Sequence, residues 1–256
     1  MASATYKARA IVLRKTKLGE SDLVVTMLAE DGSQMRVVAK GARKPSSSFA
    51  ARLELYSVAD VLCSKGRNLD VVTEARLVAS NERIRRDIEH TACAAPMVEL
   101  LDRVTQDGLE APRLFALTQA ALVCLNTASA NQAPSLCAAH LLKALALSGL
   151  RPSLVSCVGC GSEITLDSPD RLIFVSYREG GVVCGVCRSQ MEAIAVPAST
   201  LSWCKMLLGS TFAEISKRDI DLSTSFTVLR FCQQWTREHV GVNLKSLNFL
   251  FTCGLF

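Results

Sequence analysis

Two paired cysteine hooks, Cys157-Val158-Gly159-Cys160 and Cys184-Gly185-Val186-Cys187, stand 23 residues apart. Few features restrict a fold more tightly, because four thiolates at this spacing can close a tetrahedron around one zinc ion. The chain must then double back so that the second pair meets the first. The residues between them permit this. Arg171 to Tyr177 reads as a strand, Arg178-Glu179-Gly180-Gly181 as a turn, and Gly181 to Cys184 as the returning strand. Gly159, Gly161 and Gly185 offer the backbone freedom that a tight knuckle around a metal requires. Paired cysteines also serve in redox sites. Such a pair usually stands alone within a βαβ unit, and no such alternation surrounds these two. Inert thiols are the remaining reading. The spacing favours one zinc ion held by Cys157, Cys160, Cys184 and Cys187 in a structural site, since four thiolates leave no open position for water.

Composition sets the frame around this module. With 256 residues, 49% of them hydrophobic, the chain can bury a core of one large domain or of two to three small ones. No uncharged apolar run reaches the roughly 18 residues of a membrane span, and Ala133 to Leu150 is interrupted by His140 and Lys143. The first residues lack the apolar stretch of a signal peptide. Eleven cysteines without such a signal imply a reducing compartment and a cytoplasmic location. The seven outside the hooks lie in apolar segments and read as small buried hydrophobes. Net charge is +5, and its distribution is uneven. Residues 1–80 hold thirteen Lys/Arg against eight Asp/Glu, so the whole excess sits in the N-terminal third. That pattern fits either a polyanion-facing module or a solvated basic surface.

The periodicity divides the chain at the same place. Five short strands are expected over Tyr6–Arg14, Asp22–Ala29, Gln34–Ala39, Leu53–Cys63 and Leu69–Val78. Glu30-Asp31-Gly32-Ser33 and Lys65-Gly66-Arg67-Asn68 are the tight turns. Five strands in so few residues suit a small closed barrel of the OB or SH3 kind. From residue 81 the period becomes helical, with Pro96 expected to kink or split the first helix. Pro112 and Pro134 open further helices, Gly149 and Gly241 end helices, and the cysteine hairpin interrupts what reads as a single bundle. The fold class is therefore α+β. A barrel over 1–80 precedes a helical domain over 81–256, with the zinc module at about 157–187.

Catalytic motifs are absent. There is no phosphate-binding G-x-x-x-x-G-K-[ST] loop, no G-x-G-x-x-G and no G-x-S-x-G. His90, His140 and His239 each fall in a helical pattern without an H-x-x-x-H partner. The basic cluster is richer. Arg14-Lys15-Thr16-Lys17, Arg36, and the loop Lys40-Gly41-Ala42-Arg43-Lys44 leading to Arg52 can lay cations and backbone N–H groups along a phosphate chain. Phe49 or Tyr56 offers a stacking face, though Tyr56 within a strand fits the core better.

Several pieces, taken in order, resemble the RecO family of bacterial DNA repair proteins over almost the whole chain. They are Ala10-Ile11-Val12-Leu13-Arg14 leading to Gly19-Glu20-Ser21-Asp22, the Lys40–Lys44 loop, the cysteine hooks, and His239-x-Gly241-x-x-Leu244-Lys245-Ser246-x-x-Phe249-Leu250. The resemblance implies an N-terminal OB domain, a helical domain and a four-cysteine zinc module. It implies no covalent catalysis. The expected activity is that of a recombination mediator, which binds single- and double-stranded DNA, anneals complementary strands and helps recombinase loading in the RecF pathway. Implied partners are RecR, the C-terminal tail of the single-strand binding protein and, indirectly, RecA, at the nucleoid and without a membrane. Arg14, Arg36, Lys40, Arg43, Lys44 and Arg52 become the DNA-contact candidates, with Lys17 and Lys65 weaker. The alternatives are a zinc-stabilised protein interaction scaffold without direct DNA binding, and a thiol redox enzyme using Cys157 and Cys160.

Overall fold

Strands with alternating inward apolar residues build the first part of the chain. The computed structural model describes residues 4–256. It contains β1 (Thr5–Leu18), β2 (Asp22–Ala29), β3 (Gln34–Ala39), β4 (Val58–Ser64) and β5 (Asp70–Ala79). They close into a barrel in the order β1-β2-β3-β5-β4. Closure rests on a short parallel seam, Val37 with Asp70 and Val38 with Val71. The interior is filled by Ala10, Val12, Val25, Met27, Val37 and Val61 among others.

Both faces of β1 and β2 are apolar in their middle. Ile11, Leu13 and Leu28 point away from the barrel interior yet are buried. That outer face needs a cover, and helix α2 (Ile88–Val104) packs on β1. With α1 (Glu82–Arg86) and α3 (Pro112–Thr127) it belongs to the barrel's compact unit, which extends to Thr127. The helical segment is thus not the single bundle expected from periodicity. Its first three helices go with the barrel because the barrel exposes apolar strand surface to them.

Two local expectations are corrected. The fourth strand begins at Val58, not Leu53. Leu53–Ser57 is turn, with Tyr56 at φ 67 and its carbonyl accepting from the Asn81 amide at 2.7 Å. Tyr56 is nevertheless buried, and Leu53 beside it joins the barrel core. The first helical stretch breaks at Asp87, whose backbone is extended, while Pro96 sits inside an unbroken α2.

The second unit runs from Ala128 to Phe256. Helix α4 (Ala133–Leu147) is its axis, buried on nearly all sides by α7 (Leu222–Val240), α5 (Ala198–Gly209) and α6 (Phe212–Ile215). Gly241, at φ 75, stops α7, and α8 (Lys245–Thr252) follows. Trp235 anchors the chain after α4 by donating to the Leu150 carbonyl at 2.9 Å, and the His239 ring packs on it at 4.5 Å. The expected hairpin forms as β6 (Leu172–Ser176) and β7 (Gly181–Val183). A third strand, β8 (Ile194–Pro197), pairs with the other edge of β6 and was not foreseen. Its four residues are too few to display a period. Among the described residues no helix is long and apolar enough to cross a membrane.

Candidate nucleic-acid interface and cysteine centre

Strand register decides which of the basic residues meet. Lys17 lies opposite Leu23, and Leu23 opposite Ala39, so Lys17 and the Lys40–Lys44 loop share one end of the barrel. The loop is held there by the β1–β2 turn. The Asp22 carboxylate accepts from the Gly41 amide at 2.7 Å and from the Ser21 hydroxyl at 2.9 Å. The Arg43 guanidinium donates to the carbonyls of Gly19 at 3.0 Å and Glu20 at 2.7 Å. The Gly41 amide holds the Asp22 carboxyl below its usual range, aided by Ser21 and by the charges of Lys40 and Lys44. Asp22 was missed as a functional residue, although it closes the Gly19–Asp22 motif read in the sequence.

Arg43 donates to neutral carbonyls and makes no ion pair among the described residues. Lys17, Lys40 and Lys44 are exposed and make no ion pair among the described residues. One expectation fails in this loop. The backbone N–H groups of Gly41 to Lys44 are not free for phosphate. Gly41 donates to Asp22, Ala42 to the Ala39 carbonyl, Arg43 to that of Ser21 and Lys44 to that of Gly41. The loop can offer side-chain cations and little else.

The other candidates lie apart from this end. Arg14 and Arg36 fall in one cross-strand row, both opposite Thr26. Arg14 forms a two-pronged pair with Asp102 of α2, at 3.0 and 3.4 Å, which neutralises most of its field. Arg36 is exposed on β3. Arg52 donates to the Ala75 carbonyl on β5 at 3.2 Å. Lys65 is spent on Asp70, at 3.1 Å, and lies over the Tyr6 ring. Phe49 packs partly against the barrel core.

The hooks converge as the spacing required. The Sγ atoms of Cys157, Cys160, Cys184 and Cys187 all lie within 4.8 Å of one another, with Cys160 and Cys184 at 3.7 Å. A tetrahedron with metal–sulfur bonds of about 2.3 Å has edges of about 3.8 Å, so the set fits a metal of this kind. The Cys184 amide donates to the Cys157 sulfur at 3.3 Å, and the Cys187 amide to that of Cys184 at 3.5 Å. The first of these holds the Cys157 thiol well below its ordinary range, whereas hydrogen bonding with Cys184 and Cys160 pushes Cys187 up. Sulfurs this close cannot all carry charge unless a cation stands among them. A Cβ at Gly159 would crowd the knuckle, at 2.7 Å from the Met191 methyl and 3.0 Å from the Cys187 sulfur. Gly161 has φ 76. Gly185 has neither constraint, so its expected role is not borne out. Among the other cysteines, Cys63, Cys93, Cys137, Cys204 and Cys232 are buried, and Cys124 and Cys253 are half-buried.

The strand order, with a short seam between β3 and β5, defines an OB-type barrel, here joined to a helical unit that carries a four-thiol knuckle. Comparison with known proteins carries this further. The family model "Recombination protein O N terminal" matches residues 1–81, and "Recombination protein O C terminal" matches residues 85–248. A DNA repair protein RecO from Desulfitobacterium hafniense (strain DSM 10664 / DCB-2) is 31% identical over 245 residues, covering 94% of this chain and 87% of that protein. The one from Roseiflexus sp. (strain RS-1) is 35% identical over 254 residues, covering 98% and 86%. That from Cutibacterium acnes (strain DSM 16379 / KPA171202) is 38% identical over 189 residues, covering 72% and 74%. The chain belongs to the RecO family.

Proposed function

We propose that this chain is a non-catalytic recombination mediator in DNA repair, binding and annealing DNA through the cations of its barrel. The observation that carries the reading is the Lys40–Lys44 loop, pinned by Asp22 and Arg43 against the Gly19–Asp22 turn, with Lys17 beside it. A fixed loop of unpaired cations lowers the repulsion between two phosphate backbones and holds both nearby, which is all that annealing demands of a protein. Arg36 and Arg52 extend the cationic surface. Arg14, paired with Asp102, contributes least. Base readout is not required. Binding should therefore depend weakly on sequence and steeply on salt.

The four cysteines hold one zinc ion in this reading, as a structural staple. RecR, the single-strand binding protein and RecA remain the proposed partners, in the cytoplasm beside the nucleoid. In the second unit, a groove of about 350 Å³ is lined by Leu166, Pro169, Trp203, Met206 and Arg218. Apolar walls beside a guanidinium suit the acidic, apolar tail of the single-strand binding protein.

The test is annealing of complementary oligonucleotides, with DNA affinity followed across a salt series. The paired substitution Lys40→Glu with Arg43→Glu should lower affinity by at least about tenfold and flatten the salt slope by about one to two. DNA binding that ignores salt, or that survives this substitution unchanged, rules the surface out. Binding to a protein partner with none to DNA would favour the scaffold reading.

A further inference from the structure

A groove of about 890 Å³ crosses β1, β4 and β5, away from the row that joins Lys17 to the Lys40–Lys44 loop. Pairing alternates along these strands. Ala10, Ala59, Val61 and Ala75 face the core, so Arg9, Asp60 and Arg76 face out. Register sets Arg9 opposite Asp60 and Asp60 opposite Arg76. One carboxylate then holds two guanidiniums. Arg9 donates to it at 2.8 and 3.3 Å, and Arg76 at 2.7 Å. Two cations on one anion leave a positive charge over. The Arg76 side chain, 79% exposed, presents that charge to solvent. Phe49 forms part of the wall, its ring held by partial burial against the core, and Arg52 stands beside it.

We infer that this groove is a single-strand subsite, taking a backbone phosphate on Arg76 and Arg52 and an unstacked base against Phe49. The inference rests on the DNA reading above and adds a second contact surface to it. A guanidinium already held by a carboxylate loses less freedom when it binds phosphate. A duplex keeps its base faces within the stack, so only an unpaired strand can place one against an aromatic ring inside a groove. Glu30 and Glu74 also line the groove. They disfavour a second phosphate there, and they disfavour an acidic peptide for the same reason.

The test uses the full chain with Arg76→Gln or Phe49→Leu, neither of which removes the Arg9–Asp60 pair. Fluorescence anisotropy would follow a labelled oligothymidylate and a labelled hairpin duplex. Phe49→Leu should weaken oligothymidylate binding by about fivefold or more at unchanged salt slope. Arg76→Gln should lower that slope by about 0.7. Duplex affinity should not change in either. Both variants melting like the parent and binding oligothymidylate like the parent, while Lys40→Glu with Arg43→Glu still weakens binding, would remove the groove and leave the barrel reading intact. A parent chain with no salt-sensitive DNA binding would remove both. Loss of an acidic peptide, and not of oligothymidylate, on these substitutions would also overturn it.

Discussion

Gly32 carries two constraints at once. Its φ of 84 closes the β2–β3 turn, which an Asp-Gly pair announces in the sequence. It is also buried, and a Cβ on it would run into the backbone carbonyl of Ala111, just before α3. The Ala111 amide in turn donates to the Asp31 carbonyl at 2.8 Å. Gly32→Ala should therefore cost about 3 kcal/mol or more, from the left-handed backbone together with the displaced loop. Urea unfolding should show a lower midpoint at unchanged slope. Gly159 is crowded only by side chains, those of Met191 and Cys187, and has no left-handed backbone, whereas Gly185 meets nothing. Equal spacing within the two hooks hides that difference.

At the scale of elements, the outer faces of β1, β4 and β5 are tied by Asp60. Its carboxyl is pulled down to about 2, first by Arg9 and then by Arg76. In the unfolded chain an aspartate titrates near 3.9. A depressed folded value means that this stabilisation is fully present above about pH 4 and is lost as pH falls toward 2. Asp22 and Asp70 are shifted in the same direction, so they add to the same acid limb. Thermal unfolding measured from neutral pH downward should show stability falling through this window. In Asp60→Asn the fall should be shallower, and an unchanged profile would remove Asp60 from the account. The β1–β2 turn and the Lys40–Lys44 loop form a second tied pair of elements, through Asp22 and Arg43. That tie is made from residues visible in the sequence as two separate motifs.

On the scale of the whole molecule, the chain is two compact units, and both tryptophans, Trp203 and Trp235, lie in the second. Tryptophan fluorescence therefore reports on the unit that holds the cysteine centre. Cys160→Ser should remove the bound metal and lower the fluorescence-detected melting temperature by about 5 °C or more. Metal content measured on the same sample checks the cause. Stoichiometric metal in the variant, or an unchanged melt in a metal-free one, would show that the four thiols are not a structural metal site.

The features that depend on spacing along the chain are legible without a structure. Two hooks with a hairpin between them had to converge, alternation set the barrel strands, and glycines and prolines marked most turns and helix ends. The cations of residues 14–52 were legible as a group for the same reason. Which of them remain available depends on partners brought in from distant parts of the chain. Arg14 is neutralised by Asp102, 88 residues away, and the loop amides are consumed by Asp22, Ala39 and Ser21. Arg9, Asp60 and Arg76 become one cluster through strand register alone. The division at Thr127, where three helices join the barrel, follows from strand surface buried on both faces. Local spacing fixes backbone geometry, whereas pairing of charges and covering of apolar faces depend on which distant segments pack together.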